Sequence, residues 1–212
     1  PIVATAVTDY KTAKLVKDDA KPGTNVTGTT DMNPVAEQLD LLLKLVPNAK
    51  TIGTIYCSSE VNSQLQVELL KKAAAAKGIT VKEATVSTVN DIQQAARSLA
   101  GDVQAVYVPT DNVLASAIPT LISVTEEAKL PVICAEGGMV RAGGLATLGV
   151  DYYKLGFQTG VMAADILSGK AKPADMAIQA QKEFKPTINL KEAAKIGLKV
   201  PEDLLKGAEV IK

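Results

Sequence analysis

The chain has 212 residues, of which 47% are hydrophobic and 22% are charged, a composition typical of a globular protein with a substantial core. Its 23 basic and 23 acidic residues give a net charge of zero, so no basic excess favours nucleic acid or an anionic membrane surface as a partner. Histidine is absent, which excludes Ser-His-Asp and Cys-His catalysis and histidine-ligated metals, and two cysteines are too few for a disulfide framework or a cysteine-based zinc site.

Short β-branched segments alternate with longer helical ones, which predicts a doubly wound α/β fold with a parallel sheet and helices on both faces. The first strand covers residues 1–7, and a turn-rich connection over residues 21–28 follows. Because the chain opens directly on a core strand, without methionine or a signal peptide, we expect it to be part of a longer protein. The first helix has Asn33 as its predicted N-cap and Pro34 at its first position, and it ends at Val46.

The rest of the chain repeats this strand–helix unit. We expect Gly78 to end the second helix, Asn90 to cap the third, Pro119 to break the fourth and Asp151 to cap the last long one. The tail has a strand-like segment at residues 188–190 and a short helix to Ile196. The predicted strands are residues 51–57, 79–86, 103–108, 131–135 and 145–150, and the predicted helices are about 64–77, 90–99, 113–129 and 151–168.

Two details of helix packing follow from the spacing of small and apolar residues. On the second helix the periodicity places Leu65, Leu69 and Leu70 on the inward face. On the last long helix Gly156 and Gly160, four residues apart, indicate that this helix packs closely on the sheet.

Polar side chains gather where the predicted strands end. In open α/β sheets ligands bind outside these carboxyl ends, and helix N-termini that point there favour an anion. Short hydroxyl side chains would complete a carboxylate site by hydrogen bonding, but the same residue types are the preferred helix caps, so capping explains each of them at least as well. The candidates are Thr8, Asp9, Ser58, Ser59, Glu60, Ser63, Thr110, Asp111, Asn112, Glu136 and Asp151.

Asp111 is the sharpest of these candidates, because a carboxylate can pair with a ligand ammonium group in a charge-assisted hydrogen bond. Asp151 is better explained as a helix cap. The glycine-rich segment 136–144 matches neither a P-loop nor a dinucleotide fingerprint, and we interpret it as a loop that lets backbone approach a ligand or a hinge.

Cys57 and Cys134 end different predicted strands. With a strand order of 2-1-3-4, one strand lies between them, a separation of ~10 Å. A disulfide needs Cα atoms closer than about 7 Å. We therefore expect both cysteines to be reduced, buried and inert.

Six segments of the sequence carry a family resemblance. They are PIVATAVTD (1–9), PGTNVTGTTD (22–31), YCSSEVNS (56–63), VPTDN (108–112), EGGMVRAGGLAT (136–147) and INLK (188–191). In this order they resemble the tryptophan/tyrosine-type ABC transporter substrate-binding proteins. The resemblance implies a type I periplasmic-binding-protein fold with two lobes, the first of them incomplete. Residues 1–27 would be the end of the first lobe and the hinge, residues 28–150 the second lobe, and residues 151–212 a return helix and a tail that spans the lobes.

The resemblance also implies a function. Such a protein is an extracytoplasmic receptor, in the periplasm or lipid-anchored at the outer face of the cell membrane, that binds a free amino acid in an interlobe cleft for ABC permease subunits. The bound amino acid would be aromatic or otherwise apolar. No catalytic residue, cofactor, metal or nucleic acid is implied, and the only membrane contact would be an N-terminal lipid anchor outside this sequence.

Matching the motifs residue by residue assigns roles within that site. The match implies that Ser59 and Ser63 bind the ligand carboxylate and that Asp111 binds the ammonium group. One departure from the family pattern is Tyr10, where proline is expected after Thr-Asp. The resemblance further places Thr8, Asp9, Thr30 and Asp31 along the hinge side of the cleft, and Glu136 and Asp151 at its rim.

Two other functions remain open from the residues. The same fold serves as the effector-binding core of transcription regulators, for which an N-terminal helix-turn-helix would be decisive. A carboxylate-based α/β enzyme would use Asp111 and Glu136 as acid and base. The absence of histidine, of metal-ligand spacing and of a nucleophile elbow counts against the enzyme.

Overall fold

The structure is a computed structural model that describes all 212 residues, and these form two compact units. Unit 1 contains residues 1–33 and 150–184, and unit 2 contains residues 34–149 and 185–212. This division differs from the expected one, because the first boundary lies after residue 33 rather than 27. The C-terminal part is also shared, since residues 185–212 return to unit 2 after the segment that belongs to unit 1.

Ten strands, nine α-helices and two 3-10 turns make up these units. No helix combines the length and the apolar character needed to cross a bilayer. In chain order the elements are β1 (Ile2–Ala4), β2 (Val26–Thr30), α1 (Val35–Leu45), β3 (Thr51–Cys57), α2 (Val61–Ala76), β4 (Thr80–Val86), a 3-10 turn (Val89–Asp91), α3 (Ile92–Ala100), β5 (Val106–Val108), α4 (Asn112–Ser116), α5 (Ile118–Glu127), β6 (Val132–Cys134), α6 (Gly137–Arg141), β7 (Ala146–Gly149), α7 (Tyr152–Leu167), a 3-10 turn (Pro173–Asp175), β8 (Gln179–Ala180), β9 (Lys185–Asn189), α8 (Leu190–Ile196), α9 (Glu202–Leu205) and β10 (Glu209–Ile211).

Unit 1 is built on a three-stranded parallel sheet in the order β1-β2-β8. Tyr10, the residue that stands in place of the expected proline, is buried beside this sheet, and its hydroxyl donates to the carbonyl oxygens of Ala4 and Thr29, each at 3.1 Å. Burial, together with the charge of Asp31, raises the pKa of the Tyr10 phenol to about 12, so it stays a donor. Gly28 makes room for this contact, because a Cβ there would lie 1.9 Å from the Ala4 carbonyl oxygen.

The packing of α7 differs from the prediction. Leu155 and Met162 are buried, but Gly156 and Gly160 are exposed and a Cβ on either would meet nothing within 4 Å. They share an outward apolar face with Tyr153, which is 85% exposed, and Phe157, which is 70% exposed. The glycine spacing therefore does not mark contact with the sheet.

Unit 2 is a seven-stranded sheet in the order β10-β9-β7-β6-β5-β3-β4. Its first five strands in sequence are parallel, and β9 joins β7 in antiparallel register, with Gly149 opposite Lys185. One apolar cluster lies under α1, α2 and α8, and a second lies under α3 to α6. Because β5 separates β3 from β6, the prediction for Cys57 and Cys134 is confirmed: both are buried and free.

Several helix boundaries differ from the predicted ones because other residues take the capping role. Pro34, not Asn33, precedes the first turn of α1. The Asn33 side chain instead accepts the Val150 N–H at 3.3 Å and donates to the Asp31 carbonyl at 3.1 Å. Before α3 the cap is a Thr88–Asp91 capping box rather than Asn90.

Two further helix predictions had opposite outcomes. The break at Pro119 is confirmed, because α4 ends at Ser116 and α5 starts at Ile118, with the proline in its first turn. The inward face of α2 was wrong at Leu69, which is 38% exposed. Leu70 is buried as predicted, and the buried face of α2 also contains Gln66 and Val67.

A buried acid joins α5 and α8. Glu192, in the first turn of α8, is 2% exposed, and Lys195 lies between it and Glu126 of α5, 3.6 Å from the first carboxylate and 2.6 Å from the second. Burial raises the pKa of Glu192 to about 7, and the hydrogen bond and charge of Glu126 add to the effect. Glu192 therefore keeps its proton in the folded state below neutral pH and loses it as the pH rises through about 7.

We expect this proton to make stability depend on pH. The raised pKa means that Glu192 contributes stability fully below its ordinary value of 4.5 and loses that contribution as the pH rises through about 7. Glu192→Gln, which stays neutral, should gain about 1–3 kcal/mol relative to the unsubstituted protein between pH 5 and pH 8. Urea unfolding across this range measures it. Glu127→Gln, an exposed neighbour on α5, should show no such trend, and a pH-independent difference for Glu192→Gln would contradict the expectation.

The close approach at Gly28 gives a second test. Gly28 has a φ of 151°, and a methyl group there would strike both the Ala4 carbonyl and the Tyr10 hydroxyl. Gly28→Ala should therefore cost about 2 kcal/mol or more in the free energy of unfolding. Gly101→Ala, at an open position with an ordinary φ of −87°, should change it by less than about 0.5 kcal/mol. Equal effects of the two substitutions in chemical denaturation would refute this account of Gly28.

Candidate functional site

The carboxyl edge of the unit 2 sheet brings together candidates from two loops. The β3–α2 loop carries Ser58, Ser59 and Glu60, and the β5–α4 loop carries Thr110 and Asp111. β3 and β5 are adjacent and parallel, so both loops leave the same edge. Side chains of the two loops contact each other directly, as the hydrogen bonds described below show.

Asp111 is committed to the protein's own donors. Its side chain is 1% exposed, and one oxygen accepts from the Cys57 N–H at 2.7 Å and the Ser63 hydroxyl at 2.8 Å. The other oxygen accepts from the Leu114 N–H at 2.9 Å and caps α4. Burial raises the pKa of Asp111, whereas these donors act in the opposite direction. These bonds make Asp111 a link between β3, α2 and α4, and the expectation that it meets a ligand ammonium group stays a prediction.

Ser63 has the same inward role. It is fully buried, and its hydroxyl lies 2.8 Å from the Asp111 carboxylate and 3.3 Å from the Thr110 carbonyl oxygen. With its hydroxyl donated inward, Ser63 does not present a donor to a ligand carboxylate. The carboxylate contact that the family resemblance implies for Ser63 likewise stays a prediction.

Glu60 occupies the start of α4 together with Asp111. Its carboxylate accepts from the backbone N–H groups of Asn112 at 3.0 Å and Val113 at 3.2 Å. The side-chain amides of Asn112 and Asn62 donate to it at 2.9 and 3.1 Å. Glu60 and Asn112 are therefore in contact with each other, and the positive end of α4 is already neutralised.

The other helices that follow strands of this sheet are also capped. Glu136 accepts from the N–H groups of Gly138 and Met139 at the start of α6. The capping box of Thr88 and Asp91 precedes α3. In each case a carboxylate of the protein lies where an external anion would otherwise bind.

The N-terminus of α2 is different. This helix has 16 residues, no side-chain cap and no acidic residue in its first turn, because the Glu60 side chain turns to α4. Ser58 and Ser59 are exposed next to it, and Val61, its first residue, is 48% exposed. Uncapped N–H groups, a positive dipole end and two accessible hydroxyls together favour a carboxylate.

The candidate residues of unit 1 form one hydrogen-bonded cluster, and two further candidates, Asp9 and Asp151, accept backbone N–H groups elsewhere. Asp31 is buried and accepts from the Thr8 hydroxyl and the Tyr152 hydroxyl, each at 2.9 Å, and the Thr30 hydroxyl donates to the Thr8 carbonyl at 2.7 Å. Asp9 lies in a separate interaction, where it accepts the Thr12 N–H at 2.6 Å.

Asp151 is the helix cap among the unit 1 candidates. It caps α7 through the N–H groups of Tyr153 and Lys154, so its interpretation as a cap is confirmed. The predicted cleft between the lobes stays a prediction.

Sequence reasoning missed the buried glutamines at this edge. Gln66 of α2 accepts the Thr110 N–H at 3.1 Å and lies 3.3 Å from the Thr110 hydroxyl. Gln38 of α1 donates to the carbonyls of Ala135 and Leu148. The available signal was an amide at an inward helical position, Gln38 three residues after Val35 and Gln66 four residues before Leu70.

Comparison with known proteins decides the family. Residues 1–212 match the family model described as ABC transporter substrate binding protein. The chain belongs to this family. The predicted family is thereby confirmed, and it is a family of binding proteins rather than of enzymes.

Individual relatives are similar over most of the chain. A tyrosine-binding protein of Clostridioides difficile (strain R20291) is 45% identical over 171 residues, which cover 81% of this chain and 50% of the relative. The chain thus spans about half the length of that curated relative. An ABC domain from Streptococcus pneumonia, solved in complex with L-Trp, is 42% identical with a TM-score of 0.94 and covers 100% of this chain and 72% of its own.

A more distant structure bears on the fold alone. A glucose-galactose binding protein from Geobacillus stearothermophilus is 22% identical with a TM-score of 0.58, covering 76% of this chain and 61% of its own. Together these structures confirm the predicted α/β class of the type I periplasmic-binding-protein kind.

The hydrogen bonds of Asp111 generate a test. Asp111→Ala would leave the buried N–H groups of Cys57 and Leu114 without an acceptor, so we expect it to lower the free energy of unfolding by about 2–4 kcal/mol. Ser116→Ala, at the exposed end of α4, should change it by less than about 0.5 kcal/mol. Urea denaturation compares the two. An Asp111→Ala protein as stable as its parent would show that this carboxylate is free for another role.

Proposed function

We propose that the protein containing this chain is the solute receptor of an ABC importer and binds a free amino acid, whose carboxylate lies at the N-terminus of α2. The observation that carries this proposal is that α2 is uncapped, whereas α4 and α6 at the same sheet edge are capped by the protein's own carboxylates and the Thr88–Asp91 capping box precedes α3. An anionic ligand group is favoured at the one helix end of this set that is left without an anion.

The hydroxyls next to α2 support a carboxylate rather than a larger anion. Ser58 and Ser59 are exposed and directly precede the helix, so they can donate to one carboxylate together with the first N–H groups of α2. Ser59 lies 3.2 Å from the Cys57 sulfur, a weak hydrogen-bonding partner that a ligand oxygen would readily replace.

The ammonium group of the ligand needs a partner other than Asp111. Among the acids of this edge, Glu136 keeps partial exposure, and its two hydrogen bonds to backbone N–H groups leave carboxylate lone pairs available. We assign the ammonium contact to Glu136. Glu60 is less suitable, because four N–H donors already surround its carboxylate.

The family and the two similar proteins support the ligand class and the setting. One of these proteins is a tyrosine-binding protein and the other was solved in complex with L-Trp, which favours an amino acid with an aromatic or other apolar side chain. In this proposal the protein is not an enzyme, acts outside the cytoplasm, delivers its ligand to ABC permease subunits and is held at the membrane by a lipid anchor.

The carboxylate site can be tested by supplying α2 with an anion of its own. Val61→Asp places an acid at the first position of the helix, where it should stabilise the free protein by about 0.3–1 kcal/mol and compete with the ligand carboxylate. We expect amino-acid affinity to fall roughly tenfold or more, which corresponds to about 1.4 kcal/mol. Calorimetric titration of the full-length protein with tyrosine and tryptophan measures it.

The matched control is Val89→Asp. Val89 is exposed to a similar extent, 42%, and also begins a helical turn, but there the Thr88–Asp91 box already supplies the cap. This variant should bind amino acids within about twofold of its parent. Similar losses in both variants would point to a general charge effect, and unchanged affinity in Val61→Asp would rule out α2 as the carboxylate site.

A further inference from the structure

We propose that Gln38 is a positioning residue for the carboxyl edge of the unit 2 sheet, and that its side chain holds the ends of three neighbouring strands in the arrangement that ligand binding requires. The expected effect of Gln38 on ligand affinity rests on the proposed function. The structural role proposed for Gln38 rests on contacts within unit 2 alone.

Gln38 lies in α1 but bonds to the strands beneath it. Its amide nitrogen donates to the Ala135 carbonyl, just after β6, at 2.9 Å and to the Leu148 carbonyl of β7 at 2.8 Å. Its amide oxygen accepts from the Tyr107 hydroxyl of β5 at 2.7 Å. One fully buried side chain therefore uses both amide protons and its oxygen on three consecutive strands.

The sheet needs this link because its own hydrogen bonds are sparse at this point. β6 and β7 share a single register pair, Ile133 with Ala146, and beyond it no ladder joins their ends. The two Gln38 bonds replace the missing ladder and satisfy carbonyls that would otherwise be buried without a donor. Gly149 assists, because a Cβ there would lie 3.1 Å from the Ala135 carbonyl oxygen.

This link reaches the proposed ligand contact through the main chain. Ala135 is followed directly by Glu136, which caps α6 and which we assign to the ligand ammonium group. Leu148 and Gly149 lie at the end of β7, opposite Pro186 and Lys185 of β9. Tyr107 fixes the orientation of the amide, because its hydroxyl donates to the oxygen, and burial raises its pKa so that it keeps its proton.

Gln38→Met tests the proposal, because methionine has a similar length and no amide. Amide hydrogen exchange of the ligand-free full-length protein should become roughly tenfold faster or more in residues 136–140 and 146–149, while β3 stays unchanged. Amino-acid affinity, measured by calorimetry at a temperature where the variant is folded, should fall about fivefold or more. A uniform rise in exchange across the whole sheet would indicate general destabilisation and overturn the positioning role.

Two further variants make the test complete. Tyr107→Phe removes a single hydroxyl, so if Gln38→Met does not fold, the same local change in exchange is expected from this milder substitution. Thr54→Val is the control, because Thr54 is buried beside Tyr107 on β3 and its hydroxyl has no partner. It should alter neither exchange at residues 136–140 nor affinity. If the parent binds no amino acid, the proposed function fails, and the exchange data alone still confirm or refute the role of Gln38.

Discussion

A single buried carboxylate fixes the geometry of the proposed site. Asp111 has no cationic partner, so its charge is stabilised only by N–H and O–H donors from the end of β3, the start of α4 and the side chain of Ser63 on α2. Because a desolvated charge that loses its donors is costly, these three elements keep one relative position. The α2 N-terminus is therefore held rigidly next to the β5–α4 loop before any ligand arrives.

The same constraint explains how one helix end is left for a ligand. Glu60 precedes α2 directly, yet its carboxylate turns to the N–H groups of Asn112 and Val113 at the start of α4. With Glu136 on α6, the protein's acids thus neutralise neighbouring dipoles and leave that of α2 unopposed. In the proposed site, specificity for an anion would come from this distribution of acids and would not require a lysine or arginine at the edge.

Sequence patterns predicted elements well where local physics decides them, as with strand 51–57 and the helix break at Pro119. They could not separate caps from ligand contacts, because Ser63, Asp111 and Glu136 have the same residue types in either role. A tail shared between the lobes was expected, but its boundary at residue 184 was out of reach, since it depends on the long-range pairing of Gly149 with Lys185. Gln38 was missed because its inward helical position indicates burial but does not show which strands its amide joins.

Two buried acids of unit 2, Asp111 at the carboxyl edge of the sheet and Glu192 between α5 and α8, respond differently to pH. Both have raised pKa values, with burial as the main cause. Three donors to Asp111 favour its charged form, whereas the hydrogen bond and charge of Glu126 disfavour the charged form of Glu192 more than Lys195 favours it. A proton is therefore exchanged near neutral pH where α5 meets α8, while at the proposed site the donors to Asp111 oppose the effect of burial on its pKa and hold α2 in position.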